Sequence, residues 1–215
     1  MPFDLAQHLD LMVRRVEDLE RDGQPAKAVV ASRVYDTTPA DLWDALTRAE
    51  RLKRWFAPVS GDLRLGGRYQ VENNAGGTIL VCEPEKRIEL TWEFGGIPTW
   101  VNVTLTPEAE GTRLELEHIA HLSPHWDMYG AGAAGVGWDL GFMGLARHLA
   151  EPEAERPAEA EEGWMMSQQA KDFVRAASDD WGRAAIAAGE DREKALAAAE
   201  ATRQFYTGES PPAAS

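Results

Sequence analysis

His118 is the residue of this chain whose type and position best suit it to chemistry. It closes the alternating stretch Leu114–His118, in which Leu114, Leu116 and His118 share one face of a predicted strand. An imidazole titrates near neutral pH, so it can orient a ligand carbonyl or hydroxyl, or act as a general acid or base. No carboxylate is placed beside His118 by spacing. We therefore predict no catalytic residue, and expect His118 to hydrogen-bond a neighbour.

The histidine spacing does not indicate a metal site. His118 and His121 are three residues apart and point to opposite faces of a strand, and His125 follows Pro124 in a predicted loop. Cys82 is the only cysteine, which excludes an intramolecular disulfide and any multi-cysteine metal site. The motifs of phosphate-binding loops, serine hydrolases, zinc proteases and dinucleotide-binding folds are absent. The sequence therefore predicts neither a metal nor a cofactor.

Aromatic and sulfur-containing side chains accompany His118 on the apolar faces of the predicted elements. They form either a filled core or the wall of a cavity for an apolar ligand that carries a ring or an acyl chain. Two further residues lie in a predicted loop, Leu122–Tyr129, and are candidates for a gate. The predicted ligand-binding residues are Tyr69, Trp92, Phe94, His118, Trp126, Met128, Trp138, Phe142 and Met143.

The elements that must position these residues follow from the hydrophobic period. Residues 27–35 read as a strand, and Thr38 caps the first of two short helices. From residue 61 to 121 the period is two, which predicts an antiparallel meander with one dry face. A long helix over residues 130–150 is the natural cover for that face. We therefore predict an α+β fold in which an antiparallel sheet wraps around a long C-terminal helix.

The two ends of the chain are predicted to be additions to this domain of residues 25–150. Residues 1–24 show a narrow apolar stripe and predict an amphipathic helix that Asp4 caps and Gly23 ends. Residues 151–162 form an acidic linker, residues 163–208 two further helices, and residues 209–215 a disordered tail. The apolar faces of 1–24 or 163–208 need a cover, which is either this chain's own domain or a second copy in a homodimer.

The charge of the chain excludes some classes of partner. It has 22 basic and 36 acidic residues, a net charge of −14, and only 12 and 16 of these lie in residues 25–150. Such a chain repels phosphate backbones and anionic membranes, so we predict no nucleic-acid or membrane partner. With no long apolar run and no visible signal peptide, the sequence predicts a cytoplasmic protein.

Several stretches together resemble a known superfamily. They are LWDALTRAERLKRWF (42–56), DLRLGGRY (62–69), residues 77–92, GTRLELEH (111–118) and Gly137-Trp138. Residues 27–150 resemble the SRPBCC superfamily of helix-grip proteins, which includes START and birch-pollen-allergen-like proteins. Within it the chain looks like the subgroup named after the activator of the heat-shock-protein-ninety ATPase.

The resemblance implies the helix-grip fold but leaves the function open, because this scaffold hosts binders, transfer proteins, cyclases and cochaperones. The first hypothesis is non-catalytic binding of a small hydrophobic molecule between the sheet and the long helix. The second is a protein-interaction module, including contact with a chaperone ATPase. The third is a cyclase- or hydratase-like enzyme that uses His118 and a tyrosine such as Tyr69.

Overall fold

The described residues form one antiparallel sheet of eight strands. A computed structural model describes residues 4–154 and 163–209. The strand order is β1-β2-β8-β7-β6-β5-β4-β3, so strands that follow one another in the sequence are neighbours, except β2 and β3. The strands are β1 (Val13–Arg21), β2 (Gln24–Tyr35), β3 (Val59–Gly61), β4 (Arg68–Val71), β5 (Gly76–Glu83), β6 (Arg87–Phe94), β7 (Ile97–Glu108) and β8 (Gly111–His121).

Seven α-helices accompany the sheet within the described residues, and a short 3₁₀ turn, Trp164–Met166, precedes the sixth. Two of them connect β2 to β3, and the first is capped by Thr38 as predicted, with its hydroxyl 3.2 Å from the Asp41 amide. The helices are α1 (Leu5–Asp10), α2 (Pro39–Thr47), α3 (Ala49–Trp55), α4 (Pro124–Tyr129), α5 (Gly132–Ala150), α6 (Gln168–Ala187) and α7 (Arg192–Thr207).

The N-terminal segment differs from the prediction of one helix over residues 1–24. It forms the short helix α1 and then β1, which pairs with β2 from Val13↔Ser32 to Arg21↔Gln24. The reason lies in Asp22-Gly23, where both φ angles are positive (52° and 74°), the geometry of a two-residue hairpin turn. The glycine that reads as a helix stop is half of a hairpin turn, and the sheet begins ahead of residue 25.

Three residues of the predicted apolar stripe of that segment are covered within the chain. Leu9, Met12 and Val16 are buried in the main core beside residues of β2 and α5. The predicted stripe therefore needs no second copy to cover it. A homodimer through residues 1–24 or 163–208 stays a prediction.

Helix α5 lies in the concave face of the sheet and corresponds to the long helix predicted over 130–150. Its residues Val136, Phe142 and Leu145 are buried in the main core together with apolar residues of β2, β7 and β8. The segment before it is helical rather than a loop, because Ser123 caps α4 and Pro124 occupies its first turn. The helix-grip architecture, an α+β fold, is confirmed.

The C-terminal helices α6 and α7 match the two helices predicted over residues 163–208. Helix α6 packs against α5 and β1, and its Phe173 and Trp181 are buried in the main core. Helix α7 packs on α6 and reaches α4 and α5. Part of the predicted acidic linker, residues 155–162, and all but Glu209 of the predicted tail lie outside the described residues.

Two glycines of α5 differ in whether the packing leaves room for a side chain. A Cβ atom at Gly135 would lie 2.2 Å from the Trp181 ring, whereas a Cβ at Gly141 would meet nothing within 4 Å. Gly135 therefore permits the close approach of α6. Gly141 has no such contact in this structure.

We expect opposite effects from alanine at these two positions. Gly135→Ala forces Trp181 to move and destabilises the protein by about 2 kcal/mol. Gly141→Ala is the matched control on the same helix, and it stabilises by up to about 1 kcal/mol because alanine is the better helix former. Urea unfolding followed by circular dichroism measures both free energies. Equal effects from the two substitutions would contradict this packing.

Candidate functional site

An aromatic cluster lies on the concave face of the sheet, where β6 and β8 approach α5. The Trp92 ring is its centre, with ring centroids 5.3 Å from Trp138, 6.4 Å from Phe56 and His118, and 6.5 Å from Tyr69. Tyr69 is buried and the other four are half-buried, so the cluster is not sealed from solvent. We call these five residues the aromatic cluster.

The elements set these positions through strand alternation and register. Trp92 pairs with Thr99 across β6 and β7, and His118 pairs with Val101 across β7 and β8, which brings both side chains to the concave face. Tyr69 from β4 is held by its hydroxyl, which donates to the Thr91 carbonyl at 2.7 Å. Phe56 is the C-cap residue that directly follows α3, and Trp138 projects from α5.

A chain of hydrogen bonds fixes the protonation of His118. The indole N–H of Trp138 donates to Nδ1 of His118 at 3.0 Å, and an indole nitrogen can only donate. Nδ1 is therefore the acceptor and Nε2 carries the proton, which it donates to the Thr99 hydroxyl at 2.8 Å. That hydroxyl donates in turn to the Trp92 carbonyl at 2.8 Å. His118 is the neutral Nε2–H tautomer with both nitrogens occupied.

Burial reinforces this neutral state and lowers the pKa of His118 to about 4. A second proton, on Nδ1, would face the Trp138 donor directly and break that hydrogen bond. His118 thus offers no free lone pair to a substrate in this arrangement. This geometry agrees with the prediction from the sequence that His118 forms a hydrogen bond with a neighbouring residue.

The other predicted ligand-binding residues are distributed around the cluster. Phe142 and Met143 are buried on α5, and the Phe142 carbonyl accepts from the Tyr35 hydroxyl at 3.0 Å. Trp126 is half-buried on α4, with the Lys27 ammonium 5.8 Å from its ring centroid. None of these three residues belongs to the aromatic cluster as defined above.

Phe94 and Met128 are exposed, which differs from the expected burial of Phe94 under the long helix. Phe94 is 63% exposed beside the Gly95-Gly96 turn of the β6–β7 hairpin, and its partner Ile97 is 69% exposed. Met128 is 58% exposed on α4. Alternation places Phe94 on the same face as Trp92, but the strand continues beyond the cover of the helix.

Two residues of the site go beyond the predicted set. Phe56 completes the cluster, with its ring 12° from parallel to Trp138 at a centroid distance of 6.4 Å. Thr99 links His118 to the Trp92 backbone. Thr99 carries no sequence signal of its own, because its role depends on the register of β6 and β7.

A groove of about 300 Å³ lies elsewhere, between α2, α3 and the end of α5. Arg51 is its centre, and donates to Nε2 of His148 at 3.0 Å and to Asp41 at 2.7 Å. Burial and the Arg51 charge lower the pKa of His148. The groove is therefore polar and its central cation is already paired. It is lined by Asp41, Glu50, Arg51, Arg54, His148, Pro152 and Glu153.

Two other classes of site are absent from the part of the chain that the structure describes. Over residues 4–154 and 163–209, no three histidine, cysteine or carboxylate side chains come together as metal ligands. In the same ranges, no helix combines the length and the apolar character that crossing a membrane requires.

The protonation of His118 is directly testable. We expect ¹⁵N NMR to show the Nε2–H tautomer at neutral pH and a titration near pH 4 rather than 6.5. Because the folded state resists protonation, stability is full above pH 6.5 and falls as the pH drops towards 4, by about 3 kcal/mol from this residue. His118→Asn should lack that component in pH-dependent unfolding. An Nδ1–H tautomer, or titration near pH 6.5, would contradict the hydrogen-bond chain.

Several solved structures share this fold. The crystal structure of CalU16 from Micromonospora echinospora is 26% identical with a TM-score of 0.67, and the match covers 81% of this chain and 98% of CalU16. MLL2253 from Mesorhizobium loti is 26% identical with a TM-score of 0.53, covering 59% of this chain and 99% of that protein. EF2215 from Enterococcus faecalis, at 15% identity and a TM-score of 0.57 over 86% of this chain and 96% of its own, shows the fold alone.

The family match begins directly after β2 and includes strands β3 to β8, the aromatic cluster and helix α5. No curated protein matches the chain. Residues 36–168 match the family described as "Activator of Hsp90 ATPase homolog 1-like protein", which confirms the resemblance to this branch of the SRPBCC superfamily. The chain belongs to the family of Activator of Hsp90 ATPase homolog 1-like proteins.

Proposed function

We propose that this protein binds a small, neutral, hydrophobic ligand at the aromatic cluster and does not transform it. The observation that carries the proposal is the incomplete burial of three neighbouring rings, Phe56, Trp92 and Trp138, on the concave face. Exposed aromatic surface inside a fold's concavity is costly unless something covers it. A ligand between the sheet and α5 would supply that cover.

The arrangement of the rings favours a ligand that itself carries a ring. Trp92 and Trp138 meet at 60°, and Phe56 and Trp92 at 50°. Such tilted rings present both faces and edges, the two surfaces with which aromatic rings prefer to pair. The cluster holds no charged side chain, and the polar atoms of His118 are already bonded, so recognition depends on shape and apolar area.

The enzyme hypothesis finds less support in the geometry. A general base needs a lone pair within reach of the substrate, and the Trp138 indole occupies the one on His118. Tyr69 likewise donates its hydroxyl proton to the Thr91 carbonyl, and burial raises the pKa of Tyr69 above its usual value. Neither residue is available for acid–base chemistry in this structure.

The interaction-module hypothesis has one observation in its favour. Phe94 and Ile97 form an exposed apolar tip on the β6–β7 hairpin, and such a tip is typical of protein contact sites. The family's name refers to activation of a chaperone ATPase. This hypothesis uses a different surface from the aromatic cluster, so the two can be tested separately.

Matched tryptophan substitutions test the ligand-binding proposal. We expect the neutral dye N-phenyl-1-naphthylamine to bind saturably with a fluorescence increase, and Trp92→Leu to weaken its affinity at least about tenfold, or about 1.4 kcal/mol. Trp100→Leu is the control, because Trp100 lies on the opposite face of the same sheet, under Arg21. It should change the affinity less than about twofold. No saturable binding, or equal loss in both folded variants, would refute the proposal.

The chaperone hypothesis has its own test. If the protein acts through the hairpin tip, adding it to a purified Hsp90-type chaperone raises the rate of ATP hydrolysis. The double variant Phe94→Ser, Ile97→Ser then abolishes that increase while dye binding persists. A rate that the wild-type protein leaves unchanged would dismiss this alternative without affecting the ligand proposal.

A further inference from the structure

A buried charge cluster ties three distant parts of the chain to helix α5. The fully buried Asp139 of α5 accepts from Nε of Arg14 on β1 at 3.1 Å and from the indole of Trp181 on α6 at 3.0 Å. The same guanidinium donates to Asp180 of α6 at 2.9 Å and to the Leu9 carbonyl, at the end of α1, at 3.4 Å.

This cluster is an expensive way to hold a fold together. Burial raises the pKa of Asp139 to about 6 although Arg14 and Trp181 both favour its charged form. Apolar residues of similar volume often stabilise a protein as well as a buried ion pair does, whereas ion pairs in some systems specify one geometry. We therefore expect Asp139 to specify one geometry of the fold.

Trp138, the residue before Asp139 in the sequence, indicates which geometry this is. Successive residues of an α-helix are about 100° apart around the axis, so Trp138 and Asp139 leave α5 in different directions. Trp138 reaches His118 on β8, while Asp139 reaches β1 and α6. The two contacts together fix both the rotation and the position of α5 in the sheet.

We infer that Asp139 is a positioning residue for the aromatic cluster, and that helix α6, through its contacts with Asp139, helps to position the ligand site. The inference rests on the proposed function for its consequence in binding, but its structural content is independent. Gly135, one turn before Asp139, supports it, because the missing side chain there lets the Trp181 ring reach α5. Helix α6 thus helps to hold Trp138 in contact with His118.

Two substitutions test this inference in the full-length protein. Asp139→Asn keeps the size of the side chain and removes its charge, and Trp181→Phe removes one hydrogen-bond donor. Asp62→Asn, which breaks the exposed pair with Arg64, is the matched control. We expect both test variants to raise the pKa of His118 by about one unit, because a displaced Trp138 admits water to the imidazole. We also expect them to weaken N-phenyl-1-naphthylamine binding several-fold.

The two readouts separate the failure of this inference from the failure of the proposed function. A mere loss of stability would leave the His118 titration of the folded protein unchanged, so an unchanged pKa and dye affinity would overturn the inference. If Asp139→Asn does not fold, Trp181→Phe decides on the same two readouts. If the His118 pKa shifts but the wild-type protein binds no dye, the positioning role stands and the ligand proposal fails.

Discussion

The placement of helix α5 in the curved sheet is the constraint on which the rest of the structure depends. The concave face of the sheet contacts the helix on one side and α6 contacts it on another. Few of its side chains are therefore exposed to solvent. Its small residues make this possible, since Gly135 admits the Trp181 ring and Gly144 lies against the Trp55 backbone. The apolar contacts hold α5 in the sheet, and the polar contacts of Trp138 and Asp139 select one rotation.

The same polar contacts underlie our proposal that the site binds a ligand rather than transforms it. His118 donates to Thr99 and accepts from Trp138, so the group that looks reactive in the sequence is used to hold the wall of the site. What remains open towards a ligand is the surface of Trp92, Trp138 and Phe56. In the proposed function, this surface recognises apolar rings by their shape.

The fold was largely predictable because its signals are periodic and redundant. Period-two stretches such as Val101–Leu105 and the long helical stretch at 130–150 each predict their element independently of the others. The N-terminal segment was harder, because the three-residue spacing of Val16 and Leu19 is typical of one helix face, whereas in β1 these residues lie on opposite faces of the sheet. Asp22-Gly23 indicates the strand only if it is read as a hairpin turn. The site was predictable in part, because strand alternation places Trp92 and His118 on the same face of the sheet. The role of Thr99 was not predictable, because it depends on the register of β6 and β7. The exposure of Phe94 was not predictable either, because it depends on where the cover of the helix ends.

Native mass spectrometry of the protein purified from the organism that encodes it tests the central claim most directly. The account predicts a noncovalent complex with one small apolar molecule per chain, present in the wild-type protein and in Trp100→Leu but lost in Trp92→Leu. A wild-type protein that carries no such molecule, and that shows no thermal shift with a library of neutral apolar compounds, would contradict it.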